Sequence, residues 1–323
     1  MLQYIARRLL WVILLLFLIT LITFVIFTVL PAGDPAALRA GRQPSPELIA
    51  SIRSQLGLDQ PKYEQFIDYL GHILPFVGGD GVNFGFSYQN NSDVLPQILD
   101  RIPTTMILAA GAVIIWLSIG IPIGIISAVR TGSKTDRLFM GLSLIAISAP
   151  VYFLGLVALY IFADDIGKIP IFPGNSAYTD ANGFVEKFTA LLMPWGILAL
   201  SFAAVYARFL RGGLIEVLNE DYIRTARAKG LSERRVIFKH GLRSAITPIV
   251  TLLGLDVGIL LGGAILTETV FNIQGIGRFA YEAIVRSDLP VIQGTVLFGA
   301  FFIVLMNLLV DIAYAFLDPR VRY

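Results

Sequence analysis

A chain of 323 residues that is 56% hydrophobic and only 15% charged is not a pair of ordinary soluble domains, and its mean hydropathy of +0.74 points to lipid as the solvent. The net charge of +2 leaves no excess to recruit nucleic acid or an acidic partner. With no Cys, and with His72 and His240 as its two histidines, the sequence excludes disulfides and thiolate chemistry and argues against a histidine metal centre.

A hydrocarbon layer about 30 Å thick takes roughly 20 residues of apolar helix. Six runs meet that length: Leu9 to Leu30, Thr104 to Val129, Leu138 to Ala163, Ala190 to Leu210, Ala245 to Thr267 and Leu289 to Leu317. Arg7 and Arg8 precede the first, which is longer than a signal-peptide core and lacks a small-residue cleavage site, so it reads as a retained anchor. The segments 1–8, 130–137, 211–244 and 318–323 hold 15 Lys or Arg in 56 residues, against 9 in 120 for the segments 31–103, 164–189 and 268–288. Basic loops stay inside, so both termini are expected on the cytoplasmic side.

The first external segment, 31–103, is long enough to fold. Leu48, Ile49, Ile52 and Leu56 keep helical spacing, as do Tyr63, Phe66, Ile67, Leu70 and Leu74, with Gly57 and Pro61 between the sets. A helix-turn-helix cap on the outer face is expected, followed by a Gly- and Asn-rich return from Gly78 to Asn91. The chain thus divides into 1–30 with the first span, the loop 31–103, and a five-helix core 104–323.

Within the core, Pro122 and Pro150 fall inside spans two and three, where kinks are expected. The inner loop 211–244 is too short for a catalytic domain but dense in helix signals. Asn219 is placed to cap a stub of about ten residues, with Glu220 and Asp221 in its first turn, Arg227 and Lys229 in its last and Gly230 just beyond. Ser232 and Glu233 then start a helix that runs toward span five. A basic stub under the bilayer suits anionic headgroups as well as a protein partner.

Ionisable groups within spans are functional suspects, and Arg208, Asp256 and Asp311 qualify. Arg208 and Asp311 are near span ends, where snorkelling accounts for them. Asp256 is midway along span five, on the face roughly opposite the small-residue stripe Gly254, Gly258 and Gly262. Span five is therefore the candidate pathway-lining or helix-packing element. On span six Asn307, Asp311, Tyr314 and Asp318 share one sector and should face another helix or subunit.

These residues, in this order, resemble the permease subunits of peptide-type ABC importers, the dipeptide, oligopeptide, nickel and glutathione family. The resemblance covers the whole chain. It rests on Tyr4-Ile5-Ala6-Arg7-Arg8-Leu9-Leu10, Gly33-Asp34-Pro35-Ala36, Leu56-Gly57-Leu58-Asp59-Gln60-Pro61, Asp311-Ile312-Ala313-Tyr314 and Leu317-Asp318-Pro319-Arg320. Above all it rests on Asp221-Tyr222-Ile223-Arg224-Thr225-Ala226-Arg227-Ala228-Lys229-Gly230-Leu231, followed by His240, Leu242 and Arg243. Departures from the family pattern are Arg224-Thr225-Ala226 for Glu-Ala-Ala, Arg243 for Pro and Gln274 for Pro.

The resemblance implies an all-α integral membrane protein of the type I importer fold, with six spans, an extracytoplasmic cap and a cytoplasmic coupling helix. It implies that Asp221, Tyr222, Arg224, Thr225, Ala226, Arg227, Ala228, Lys229, Gly230 and Leu231 contact an ATPase. A homologous second permease, two ATPase subunits carrying ATP and Mg, and an external substrate-binding protein are the implied partners. The chain itself is then a peptide-transport subunit, not an enzyme, and binds no cofactor or metal. The glycine-rich phosphate loop G-x-x-x-x-G-K-[ST] does not occur in it. The competing reading from residues alone is an ion-coupled secondary transporter or channel using Asp256, although no internal repeat supports it.

Overall fold

The computed structural model describes residues 2–30, 34–40, 45–74 and 82–317, with side chains throughout except at 2–5 and 313–317. In chain order the helices are α1 (Leu2–Phe24, continued by a π-turn Val25–Val29), α2 (Pro35–Ala40), α3 (Pro46–Gln55), α4 (Lys62–Ile73), α5 (Val94–Val129), α6 (Lys134–Ser148), α7 (Val151–Phe162) and α8 (Ala177–Asp180). Next come α9 (Phe184–Leu218), α10 (Asp221–Ala228), α11 (Glu233–Arg235, leading into a π-turn Val236–Gly241), α12 (Leu242–Ala245), α13 (Thr247–Leu261), α14 (Ile265–Val270), α15 (Ile276–Arg286) and α16 (Leu289–Leu317). Among the described residues there is no strand, only isolated bridges at Phe86 with Asp93 and Ala163 with Phe172.

Four stretches, Ala6–Val29, Val94–Val129, Phe184–Leu218 and Leu289–Ile312, are long and apolar enough to cross a membrane. Two further candidates are bent pairs: Lys134–Ser148 with Val151–Phe162 at 97°, and Glu233–Ala245 with Thr247–Leu261 at 49°. The described residues are therefore helical without strands, and hold four helices, or six counting each bent pair as one, long and apolar enough to span.

Proline and glycine decide where the expected runs break. At Pro150 the third run turns sharply, because the ring removes an N–H and drives Ala149 out of the helical region to φ −101°, ψ 133°. At Pro122 the helix is not interrupted, and α5 continues to Val129. Here Gly120 and Gly124 let the helix lie against α9, which supports the backbone around the missing bond. The fifth run does not reach Thr267: α13 stops at Leu261, and Gly263 takes φ +126°, a conformation closed to most side chains.

The chain divides into two compact units. The first comprises Met1–Thr105, Gly258–Ile265 and Gln274–Leu308. In it α4 packs on the first span through Phe66, whose ring lies 6.1 Å from Phe17 and 5.1 Å from Phe24. Ser45 caps α3, and Gly57 at φ +64° turns the chain toward α4. A core of Val94, Ile98, Ile276, Ala283, Val291 and Phe298 joins the start of α5 to α15 and α16. Buried Asp288 accepts hydrogen bonds from Ser87 Oγ at 2.5 Å and the Tyr88 amide at 3.0 Å, pinning the 82–93 segment. Burial, opposed by nearby Arg39, pushes the Tyr88 phenol up to about 12, so it stays neutral.

The second unit comprises Met106–Val257, Leu266–Ile273 and Leu309–Tyr323. Its centre is α9 against α5 and α6. A Cβ on Gly120 would sit 2.8 Å from the Ala203 carbonyl oxygen, and one on Gly124 would sit 2.9 Å from that of Ala207, so the two backbones touch. Gly120→Ala is expected to lower the stability of the purified protein by about 1–3 kcal/mol, read as an earlier thermal transition. Gly141→Ala, where a Cβ meets nothing within 4 Å, is the control and should be neutral or stabilising.

Candidate functional site

Two groups of singled-out residues centre on α10 and on Asp256, both in the second unit; Gly258, Gly262 and Asn307 belong to the first. The first is the loop from α9 to α13. Its helix α10 is eight residues long, shorter than the stub of ten expected, and its hydrophobicity is one-sided. Ile223 and Ala226 are buried and form a small core with Val236, flanked by Leu218 and Leu231. Asp221, Tyr222, Arg224, Thr225, Arg227, Ala228, Lys229 and Gly230 are exposed. Spacing of three between Ile223 and Ala226 places both on one face, leaving the opposite face polar and open.

Both ends of α10 are defined by backbone geometry. Asn219 does not cap it: Asn219 closes α9 and gives its side-chain amide to the Ile215 carbonyl at 2.9 Å. The N-cap is Glu220, one residue later, in extended conformation at ψ 150° and without a side-chain capping bond. At the other end Gly230 takes φ +76°. Its amide donates to the Arg227 carbonyl at 2.9 Å, and the Leu231 amide donates to the Ala226 carbonyl at 3.4 Å. Those two bonds form the paired closure that a left-handed glycine permits.

Side chains then brace α10 against the segment from Ser232 to Ser244. Arg227 donates from Nη2 to Glu233 Oε1 at 2.7 Å and from Nε to Glu233 Oε2 at 3.2 Å, and Nη1 reaches the Leu218 carbonyl at 3.5 Å. The Tyr222 hydroxyl lies 3.1 Å from Ser244 Oγ. By contrast, the Asp221–Arg224 pair is 3.3 Å long and almost wholly exposed, so it adds little. The helix beginning after Ser232 is only three residues of α11 before the π-turn.

One further ion pair fixes the start of this loop. Arg211, within α9, holds Asp136 at the start of α6 through Nε–Oδ1 at 2.7 Å and Nη2–Oδ2 at 2.8 Å. The same carboxylate accepts the Gly132 amide at 2.8 Å, while Ser133 Oγ accepts the Asp136 amide at 3.2 Å. The Asp136 side chain is 4% exposed and that of Arg211 27%. Neither was singled out from sequence, although Ser133-x-x-Asp136 has the capping-box spacing and Asp136 is the lone acid in a basic loop.

The second group surrounds Asp256. On α13 this residue is half-buried and accepts a hydrogen bond from the Tyr206 hydroxyl of α9 at 2.7 Å. Tyr206 is fully buried beside Trp116, at 5.7 Å between ring centroids, and Trp116 stacks on Phe202 at 4.5 Å. Tyr206 was not singled out from sequence, being one aromatic among many in an apolar run. In the glycine stripe, Gly254 is buried, and a Cβ on Gly258 would lie 3.0 Å from Ile303 Cα. A Cβ on Gly262 would lie 3.1 Å from Gly299 Cα, so these two glycines let α13 and its continuation approach α16. Of the span-six stripe, Asn307 and Asp311 are half-buried; the Tyr314 side chain and Asp318 lie outside the described residues. Arg208 is exposed. Among the described residues no cluster of His, Asp and Glu could hold a metal.

The sequence matches the family described as binding-protein-dependent transport system inner membrane component over residues 120–323, and the corresponding N-terminal family over 1–109. It is 40% identical over 323 residues to the glutathione transport system permease protein GsiC of Salmonella typhimurium, covering 100% of both chains. The proteins of the same name from Escherichia coli K12 and Shigella dysenteriae are each 39% identical over the same length.

Proposed function

Since the chain belongs to the family of binding-protein-dependent transport system inner membrane components, as a permease subunit of a peptide-type ABC importer, we propose that α10 is the lever through which separate ATPases drive it. As in its relatives the role is transport, not catalysis, and the protein is a multi-pass component of the inner membrane. Our reading makes both termini and α10 cytoplasmic, counts each bent pair as one span to give six, and makes 31–103 an extracytoplasmic cap over the core 104–323. A homologous second permease completes the pathway, two ATPase subunits bind ATP and Mg, and an external binding protein delivers substrate. Asn307, Asp311, Tyr314 and Asp318 face a neighbouring helix or subunit, and Asp256 faces the pathway. Di- or oligopeptides are the proposed substrates, since the relatives are glutathione permeases and glutathione is itself a small peptide.

The observation that carries this reading is the shape of α10: a helix closed at Gly230, seated by Ile223 and Ala226, with its polar face open. A rigid element can pass on a displacement that a flexible loop would absorb, and ATP drives transport by favouring one of two arrangements. Because the sequence contains no Cys, single cysteines can be introduced without competing thiols. Ala228→Cys should crosslink to the copurifying ATPase, and Lys168→Cys, in the segment assigned to the other face, should not. A permease that purifies without an ATPase and accumulates solute on an ion gradient alone would sink the proposal.

A further inference from the structure

A carboxylate in a membrane-spanning helix is costly unless a cation, a proton or a set of donors meets it. Asp256 has one donor. Tyr206 gives its hydroxyl to Oδ2 at 2.7 Å, and among the described residues no Lys, Arg or His pairs with the carboxylate. Tyr206 cannot easily turn away, because it is fully buried, its ring lies against Trp116, and α5 presses on it at Gly120. The phenol therefore holds Asp256 in one orientation and satisfies one oxygen. The other oxygen belongs to a half-buried side chain and has no hydrogen-bond donor among the described residues.

A fixed donor on one oxygen and a second oxygen without one make a site for a positive hydrogen-bond donor. A bare alkali ion would want more oxygen ligands than one carboxylate supplies. A primary ammonium needs only one strong acceptor from the wall, and can give its remaining N–H groups to water or to its own molecule. We infer that Asp256, oriented by Tyr206, is the intramembrane acceptor for the ammonium group of the transported solute. This rests on the transport reading above and narrows it: the solute class is one bearing a free primary amine.

The test uses the complete complex, with its ATPases and second permease, in proteoliposomes. Methylammonium chloride is titrated in while carboxylate stretching bands are followed by infrared difference spectroscopy, with tetramethylammonium, which has no N–H, as control. Methylammonium should shift a carboxylate band that is missing from Asp256→Asn, and tetramethylammonium should not. Tyr206→Phe should keep the shift but require about tenfold more methylammonium, the loss expected when an oriented charged acceptor loses its hydrogen bond. No shift in the native complex overturns the inference, as does an equal shift in Asp256→Asn; either result would leave Asp256 protonated or paired by another subunit. Where Asp256→Asn fails to assemble, Tyr206→Phe decides, and an unchanged midpoint there counts against us. ATP-driven uptake by the same proteoliposomes reports on α10 independently, so failure of the lever and failure of the amine site are separate results.

Discussion

Replacing Arg211 with alanine is expected to destabilise the protein by about 3–5 kcal/mol, the usual cost of stripping one partner from a buried ion pair. The reason lies in what remains. Asp136 keeps the Gly132 amide but loses two guanidinium bonds at 2.7 and 2.8 Å, with its side chain only 4% exposed. Asp136→Ala should cost less, because Arg211 is 27% exposed and can find water. The double replacement should be milder than Arg211→Ala alone, since it removes the stranded charge along with the pair. Thermal unfolding of the three purified variants measures this; strictly additive losses would mean that the pair is not coupled. Transport should suffer too, because this pair fastens the start of α6 to α9 just ahead of α10.

Gly230→Val carries the largest functional effect we expect. A Cβ at this position meets nothing within 4 Å, so crowding is not the cause. The cost comes from the backbone: φ +76° is left-handed, and a β-branched residue there loses about 1–3 kcal/mol. For an eight-residue helix that loss is decisive, because isolated helices of that length are not stable in water. The closing bonds to Ala226 and Arg227 should open and α10 fray. ATP hydrolysis should continue while substrate uptake falls at least about tenfold, a loss of about 1.4 kcal/mol or more in coupling. Gly230→Asn, which tolerates left-handed backbone, should retain most uptake. An unchanged ratio of uptake to hydrolysis in the valine variant would remove α10 from the mechanism.

The range of the forces involved determines which features the sequence revealed and which it hid. Apolar run length is a sum over neighbours, so the first, second, fourth and sixth runs emerged as helices of spanning length. Gly230 was legible because a helix end is written within a few residues. The Asn219 error has the same local origin: Asn, Glu and Asp stand side by side, and any could cap, so the choice depended on where α9 stopped. The Pro122 and Pro150 outcomes could not be separated locally, because the same ring is tolerated where glycines admit a supporting helix and breaks the chain where they do not. Arg211 with Asp136 and Tyr206 with Asp256 were out of reach, being pairs 75 and 50 residues apart whose meeting depends on tertiary packing.

The right-angled turn at Pro150 limits how this part of the chain can meet lipid. At 1.5 Å per residue, α6 reaches about 22 Å and α7 about 18 Å, each short of the roughly 30 Å of acyl chain that a straight span crosses. At 97° to one another, the two cannot add their lengths along the bilayer normal. The last carbonyls of α6 lose their helical donors at the turn, and a side chain reaches one of them: Ser201 Oγ donates to the Ala146 carbonyl at 3.4 Å. Oily surroundings would leave the others bare, so the elbow demands hydration or a proteinaceous neighbour on its open side. Counted as one span, the elbow therefore needs the bilayer pinched thin or held back beside it.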